Sequence, residues 1–321
     1  MARRRKKRCF SGIGGQAVME GVMMKNKEEY AVAIRKADGE IETDVAEYDG
    51  IAHDKLISKI PFIRGIFAFI DSLILGMRVL NFSAQFYEDE DAKETTGDRV
   101  MKRLFRDKAE KVIMGITTLI AIALALGIFL VLPLYLTSFF NTFVRNDSLK
   151  AIIEGVIRLV IFLLYVVSIS LMKDIRRVYQ YHGAEHKCIN CIEHGHKLNV
   201  HNVKKSSRLH PRCGTSFLLF VMVISIILFF FIRTDSIALR FAYRILLIPI
   251  IAGISYELLR IAGRFDNKFM TFLSAPGLLL QKLTTREPDE KMIQVGIASV
   301  EAVFDWKQFL VDKYEYDRDD L

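Results

Sequence analysis

The chain has 321 residues, of which 51% are apolar and 26% are charged, and its formal net charge is +8. This charge would suit a nucleic-acid-binding protein, but the basic residues do not form a patch interleaved with aromatic residues. They lie mainly beside long apolar blocks, where positive charge sets the orientation of membrane helices. We therefore predict a multi-pass protein of the inner (cytoplasmic) membrane that contacts the lipid bilayer and binds no nucleic acid.

The first region, residues 1–50, is predicted to hold a basic N-terminus and a small β region. Apolar and polar residues alternate over Tyr30–Val45, around the pair Asp38-Gly39. This pair accepts positive φ angles at both central positions of a turn, so the segment predicts a β-hairpin. The glycine-rich stretch Gly12–Gly15 precedes the hairpin and predicts a tight turn.

The second region, residues 51–110, is predicted to form an interfacial, amphipathic helix. The stretch Pro61–Tyr87 is apolar but is interrupted by Arg64, Asp71 and Arg78 at seven-residue spacing. On a helix, that spacing produces one narrow polar stripe. Such a helix fits the surface of a membrane, or the side of a helix bundle, better than it fits a transmembrane position.

The third region, residues 111–262, is predicted to be a membrane domain with four transmembrane helices, because it contains four apolar blocks. The blocks are Val112–Val144, Ala151–Met172, Gly214–Ile232 and Phe241–Leu259. The second block contains Glu154 and Arg158, which are four residues apart. Residues at this spacing share a helix face, so the two side chains are predicted to pair.

The distribution of basic residues predicts the orientation of these helices. Residues 173–213 contain nine Lys and Arg residues, whereas residues 141–150 and 233–240 contain two each. Because basic loops remain in the cytosol, the loop 173–213 and both termini are predicted to be cytosolic.

The last region, residues 263–321, is predicted to be a cytosolic helical region. Pro288, Asp289 and Glu290 form a typical helix start, and the pattern that follows runs to about Leu310. The predicted fold is therefore mainly α. It is a four-helix transmembrane bundle with a small N-terminal β-hairpin region, an interfacial helix and a cytosolic loop of metal-binding type.

Within that loop, His182, Glu185 and His186 form the pattern H-x-x-E-H. Two histidines four residues apart project from the same side of a helix, as two ligands of one metal ion must. The adjacent Glu185 would act as a general acid/base. The same pattern occurs in inverted zincin proteases, which use a third, acidic ligand farther along the chain. Glu257 is the candidate for that ligand.

A second metal arrangement is also compatible with the sequence. Cys188 and Cys191, followed by His210 and Cys213, have the ligand types and spacing of a structural Cys3His zinc site. Alternatively, the histidines contact lipid headgroups and the cysteines pack as small apolar residues.

Four motifs in this sequence resemble the YqhQ family of bacterial membrane proteins, which are often labelled predicted metal-dependent enzymes. The motifs are Gly14–Met24, Tyr181–Lys187, Ser207–Phe217 and Leu283–Pro288, and the resemblance runs from about Gly12 to Phe304. The family pattern carries over to His182, Glu185, His186, Cys191, His210 and Cys213. Threonine is common in the family where this chain has Cys188. The resemblance therefore favours the two histidines of the helix with His210, Cys213 and Glu185 over the Cys3His arrangement.

Together, the residues and the resemblance imply a metal-dependent enzyme, most simply a hydrolase, at the cytosolic membrane surface. Zinc or a similar divalent transition metal would be held by residues from the set His182, His186, His210, Cys213 and Cys191. Its substrate would be a membrane lipid or a membrane protein. The alternative is a scaffold or assembly factor for membrane proteins that contains a structural metal. An open coordination position beside Glu185 would favour the enzyme, and a closed four-ligand site would favour the scaffold.

Overall fold

The computed structural model describes residues 8–51, 59–86, 109–140, 143–232, 234, 236–264 and 268–321. The start of the predicted basic N-terminus, and residues 52–58 and 87–108 of the predicted region 51–110, lie outside these residues. The chain divides into two compact units. The sheet unit comprises Met1–Tyr87, Val166–Ile224 and Pro249–Leu321, and the helical unit comprises Glu88–Tyr165 and Ser225–Ile248.

The sheet unit contains a four-stranded antiparallel sheet in the order β1-β2-β3-β4. The strands are β1 (Gly14–Val18), β2 (Gly21–Asn26), β3 (Glu29–Arg35) and β4 (Ile41–Glu47). The predicted hairpin is confirmed as β3 and β4, and Gly39 has the positive φ angle of 91° that its turn requires. The prediction of a tight turn at Gly12–Gly15 was wrong at its end, because Gly14 and Gly15 begin β1.

The described part of the chain is mainly helical. Its helices are α1 (Ile63–Ala84), α2 (Ala109–Leu126), α3 (Leu132–Ser138), α4 (Asp147–Ser170), α5 (Lys173–Glu193), α6 (Val200–Lys205), α7 (Gly214–Phe230), α8 (Ile237–Arg264), α9 (Lys268–Thr284), α10 (Glu290–Val303) and α11 (Trp306–Tyr314). A π-helical turn, Gly127–Val131, joins α2 to α3. The predicted helix at Pro61–Tyr87 is confirmed as α1.

The predicted C-terminal helix begins where expected but is divided into two. The side chain of Asp289 accepts a hydrogen bond from the backbone N–H of Met292, which caps the start of α10. The chain becomes extended at Phe304, and Asp305 then caps α11 through the N–H of Gln308. The helix therefore ends at Val303 because a second N-cap follows it at once.

The core of the sheet unit lies between the sheet and the helices α5 and α10, and apolar side chains from all of them are buried together. Tyr181 and every residue of α5 from Gly183 to Glu193 are buried. The prediction that residues 173–213 form a loop is therefore corrected, because α5 fills half of the segment and the second half of this helix is packed on all sides. Gly296 of α10 permits this close packing, since a Cβ atom there would lie 3.0 Å from the Sγ atom of Cys188.

Three helical segments are long and apolar enough to cross a membrane, namely Gly115–Ser138, Asp147–Ser170 and Ala238–Ala262. They suggest a membrane protein. The third predicted span, Gly214–Ile232, is represented by α7, which has 17 residues. About 20 residues are usual for a transmembrane helix. The structure therefore supports the first, second and fourth predicted spans by length, and the third is shorter than expected.

The helical unit contains a buried cluster of three charged residues. Glu154 and Arg158 pair as predicted, with 2.6 Å between Oε1 and Nη2. Arg244 of α8 joins them, and its Nη2 atom lies 2.8 Å from the Glu154 carboxylate. Both guanidinium groups also lie over the ring of Phe229. One carboxylate thus neutralises two buried arginines only in part, and the aromatic face stabilises the remaining positive charge.

Candidate metal centre

Helix α5 and the residue before α7 bring together three groups that can bind one metal ion. The ligand atoms of His182, His186 and Cys213 all lie within 4.8 Å of one another. The two histidines share a face of α5, because four residues advance a helix by slightly more than one turn. This part of the sequence prediction agrees with the geometry.

The two imidazole rings are oriented by backbone carbonyl groups. The Nδ1 atom of His182 lies 2.9 Å from the carbonyl oxygen of Thr284, and the Nδ1 atom of His186 lies 2.6 Å from that of Arg208. A carbonyl oxygen can only accept, so Nδ1 carries the proton in both rings. In the neutral form of each ring, Nε2 therefore keeps its lone pair. Histidine ligands of metals are typically held in this way.

The thiol of Cys213 lies at the start of α7. Its Sγ atom is 3.2 Å from Nε2 of His182 and accepts a hydrogen bond from the backbone N–H of Thr215 at 3.4 Å. The Thr215 hydroxyl also contacts the sulfur, at 3.1 Å. These contacts and the partial positive charge at a helix N-terminus favour a negatively charged ligand at this position.

Glu185 lies beside the three ligand atoms without joining them. Its Oε2 atom is 3.8 Å from Nε2 of His182, too far for a direct hydrogen bond. Burial raises the pKa of Glu185 to about 7, against the opposing effects of His182 and of a hydrogen bond from the Gly15 backbone. A carboxyl group in this state can both accept and release a proton near neutral pH.

Gly15 fixes the position of the Glu185 side chain. A Cβ atom at Gly15 would lie 2.8 Å from Cγ of Glu185 and 2.6 Å from the carbonyl oxygen of Met23. Only glycine therefore allows β1 to approach α5 so closely. This role of Gly15 was not predicted from the sequence. The glycine pair at the start of the first family motif was the available signal.

Two polar side chains of α5 hold the segment that carries Cys213 against the helix. Lys187 donates to the carbonyl oxygens of Lys204 at 2.8 Å and Ser206 at 2.9 Å. The amide of Asn190 donates to the next carbonyls of the same segment, those of residues 207 and 209, at 2.7 and 3.0 Å. Because these contacts satisfy successive backbone carbonyls, the segment is fixed in the conformation that brings Arg208 and Cys213 to the histidines.

His210, which was predicted as a metal ligand, lies next to the cluster but faces a different partner. Its ring centroid is 5.7 Å from that of His186, yet its Nε2 atom lies 3.4 Å from the carboxylate of Glu193. Burial lowers the pKa of His210 to about 3, so the ring is neutral. Its backbone is also fixed, because its N–H donates to Oε1 of Gln281 at 2.9 Å. His210 therefore supports the cluster from outside the three-ligand group.

Glu193 is the centre of a buried polar network, which we call the Glu193 hub. Its carboxylate accepts hydrogen bonds from Arg8 at 2.7 and 3.0 Å, from Ser11 at 2.8 and 3.0 Å, and from Arg212. Burial opposes ionisation of this carboxyl, but the His210 contact and the two arginines hold its pKa well below the ordinary value. The hub ties residues 8–11 to the turn that leads into Cys213.

The cysteines of the predicted Cys3His arrangement do not converge. The Sγ atom of Cys191 lies 3.4 Å from the carbonyl oxygen of Lys197, and Cys188 packs against Gly296. Burial raises the pKa of Cys191 to about 12 and that of Cys188 well above its ordinary value. Protonated thiols are poor metal ligands. In the part of the chain that the structure describes, neither cysteine belongs to the metal-capable group.

Two further acidic residues of interest have other partners. Glu257, the candidate third ligand, forms a two-pronged ion pair with Arg64, with distances of 2.6 and 2.5 Å. Glu20, in the first family motif, pairs with Arg177 and accepts a hydrogen bond from the hydroxyl of Tyr181 at 3.0 Å. Both residues link secondary-structure elements and lie outside the three-ligand group.

Comparison with known proteins gives one family and one extended similarity. The model of a family described as "Protein of unknown function (DUF1385)" matches residues 60–306, which include the whole three-ligand group. A Bacillus subtilis (strain 168) protein described as "Uncharacterized protein YqhQ" is 35% identical over 287 residues. The match covers 89% of this chain and 90% of that protein. No solved structure matches the chain.

Proposed function

The chain belongs to the DUF1385 family and is similar to YqhQ of Bacillus subtilis, and we propose that it is a metal-dependent membrane hydrolase. The observation that carries the proposal is the three-ligand group with Glu185 beside it. In the described residues, His182, His186 and Cys213 form a metal-capable group without a fourth ligand. Catalytic zinc sites typically combine three protein ligands with one open position, whereas structural sites use four.

In this proposal the three ligands hold the metal ion, and Glu185 transfers the proton. A zinc or similar divalent ion, when bound, supplies a Lewis acid that activates water at neutral pH. Glu185 accepts a proton from the attacking water as the water oxygen bonds to the carbonyl carbon or phosphorus of the substrate. The bond to the leaving oxygen or nitrogen then breaks, and Glu185 returns the proton to that atom. Burial raises the pKa of Glu185 in the metal-free protein, and a carboxyl group in such a position suits both transfers.

The topology proposed for this enzyme has four membrane spans with both termini in the cytosol. The basic segment 173–213 supports a cytosolic position of the site, and α7 would reach the usual length with the uncharged residues that follow it. A cysteine introduced at Asn146 should react with a membrane-impermeant reagent added outside intact cells, and one at Asn199 should not. The reverse pattern would overturn the topology and the cytosolic location of the site.

Metal analysis of the purified protein tests the site itself. We expect about one equivalent of zinc or a similar ion and its loss when His182 and His186 are both replaced by Ala. His201→Ala is the matched control, because this histidine is exposed and lies outside the cluster. Full retention of metal by the double variant would show that the two histidines of α5 are not ligands.

The scaffold alternative remains chemically distinct and can be separated from the enzyme by one variant. In an enzyme, Glu185→Gln should retain the metal and the protein level, and biological activity should fall by about 10²–10⁴-fold. In a scaffold with a structural metal, the same change should be silent. Growth complementation, normalised to the amount of protein in the membrane, measures the difference. Full complementation by Glu185→Gln would favour the scaffold.

A further inference from the structure

Helix α1 lies directly against a helix that is long enough to cross the membrane. A Cβ atom at Gly65 would be 3.0 Å from the Cα atom of Gly253, so the two backbones are in close contact. Arg64 of α1 also pairs with Glu257, one turn farther along α8. Gly253 lies nine residues from the end of the segment Ala238–Ala262, about 14 Å along the helix axis. If α8 spans the membrane, the first turn of α1 must therefore lie within the bilayer.

The outward face of α1 is apolar, as this depth requires. Its exposed large apolar residues recur at helical spacing and are Ile63, Ile70, Leu73, Ile74, Met77 and Leu80. Residues at intervals of three, four and seven share one face of a helix. In water such a stripe is unfavourable, and a bilayer would cover it at the depth that α8 sets.

Helix α9 presents a second apolar face. Phe269, Phe272 and Leu279 are exposed by 66%, 77% and 60%, and their spacing places them on one side of the helix. The opposite side of α9 packs on the start of α7, where a Cβ atom at Gly277 would lie 2.5 Å from Oγ of Ser216. The sequence predicted only a helical, cytosolic region here, without an exposed apolar face.

The three-ligand group lies where these two helices meet the start of α7. Phe69 of α1 contacts Phe217 with ring centroids 5.5 Å apart, and α9 contacts the adjacent Ser216. The carbonyl group of Thr284, at the end of α9, accepts from the ring of His182. Cys213 precedes Phe217 by four residues, which is about 6 Å along a helix. Cys213 therefore lies about one helical turn from Ser216 and Phe217, the two side chains that α9 and α1 contact.

From this arrangement we propose that the substrate is a membrane glycerolipid, hydrolysed at an ester bond that lies at headgroup level. The proposal rests on the hydrolase function given above and specifies its substrate class. The acyl chains remain in the bilayer along the apolar faces of α1 and α9. The ester reaches the ligands beside the first turn of α7. Water adds across the ester bond, so that the acid and the alcohol are released as separate products.

The shape of the site favours a lipid over a protein substrate. Of the four side chains of the site, Glu185 is 6% exposed, His186 1% and Cys213 7%, and His182 is the most accessible at 14%. A polypeptide substrate would need several residues of extended chain beside them, and strand β1 is the adjacent edge of the sheet. Ala17 and Val18 of that edge are buried, which leaves only Gly14, Gly15 and part of Gln16 accessible, a short stretch for an added strand. A lipid needs only one bond at the ligands.

The first experiment asks whether the bilayer covers α1 and α9. The chain has one tryptophan, Trp306, which is buried in the sheet unit and provides a constant background. In full-length protein reconstituted in brominated phosphatidylcholine, the added tryptophan of Phe272→Trp and of Leu73→Trp should be quenched. Val45→Trp is the matched control on the exposed edge strand β4 and should not be quenched. Equal emission from Phe272→Trp and Val45→Trp would overturn the proposal.

The second experiment identifies the products. Full-length protein with bound zinc is incubated with vesicles of phosphatidylglycerol and phosphatidylethanolamine, and separately with a library of unstructured peptides. We expect lipid hydrolysis products, detected by mass spectrometry, and their loss in Glu185→Gln. Peptide cleavage without lipid products would overturn the lipid class and leave the hydrolase intact. Neither product, from protein that retains its metal, would overturn both the lipid class and the hydrolase.

Discussion

Replacement of Glu185 by Gln should stabilise the metal-free protein at high pH and leave its stability unchanged at low pH. Glu185 is buried, and this burial raises its pKa from 4.5 to about 7. In the unfolded chain the carboxyl group ionises with an ordinary pKa, whereas the folded protein retains the proton. Folding therefore becomes less favourable as the pH rises, and glutamine removes this dependence because it does not ionise.

The size and the pH range of the effect follow from the same two pKa values. Stability from the protonated carboxyl group is complete below about pH 4.5 and is lost as the pH rises through about 7. At about 1.4 kcal/mol per pH unit, the full difference is about 3 kcal/mol. For a domain the size of the sheet unit, this corresponds to a difference in Tm of about 6–12 °C.

Thermal melting of protein stripped of metal beforehand measures this difference through the emission of Trp306. The gain in Tm of Glu185→Gln over the unmodified protein should be absent at pH 4.5 and complete at pH 8, values chosen on either side of the titration. Glu290→Gln is the control, because this carboxylate is exposed and Lys204 lowers its pKa. A gain that is the same at both pH values would refute the assignment of a buried, protonated carboxyl group.

Three further variants test other contacts. Cys213→Ser should remove bound zinc and Cys191→Ser should retain it, and equal metal contents in the two purified proteins would contradict the three-ligand group. Gly15→Ala should lower the hydrolytic rate at unchanged metal content, because the added Cβ atom would displace the side chain of Glu185. Gly14→Ala is the control and should have little effect, because the space around Gly14 is open. Glu154→Gln should reduce the amount of folded protein recovered from membranes, since breaking a buried ion pair costs about 3–5 kcal/mol. Size-exclusion chromatography measures this, and undiminished recovery would argue against a structural role of the pair.

The histidine pair was predictable from sequence because both residues belong to one helix. The period of a helix places residues four apart on the same side, and no other part of the chain is needed for this inference. Cys191 follows His186 by five residues, so the same period turns it toward the far side of α5. Cys213 lies with the two histidines, whereas His210 faces Glu193, and Glu193 is in turn held by Arg8. Contacts between such distant residues leave no local pattern.

The predictions of the fold succeeded and failed for comparable reasons. Strands β3 and β4 carry alternating residues and a strong turn signal, so they were found. Strand β2 is buried on both faces over Gly21–Met24, so it lacks that alternation and was missed. Helix α5 is likewise buried on all sides over its second half. The polar residues of this half make hydrogen bonds inside the protein. In the sequence alone, the same polar residues look like those of a solvated loop.

The Glu193 hub has a consequence for the order of events during synthesis. The backbone carbonyl of Glu193 accepts hydrogen bonds from the N–H of Cys9, at 3.0 Å, and from the hydroxyl of Tyr314. Cys9 and Tyr314 also bond to each other across 305 positions of the chain. The network therefore stays incomplete until the ribosome has released almost the whole polypeptide, when the membrane helices have already been made. A metal centre at Cys213 would therefore gain the support of this network only after the membrane helices had been made.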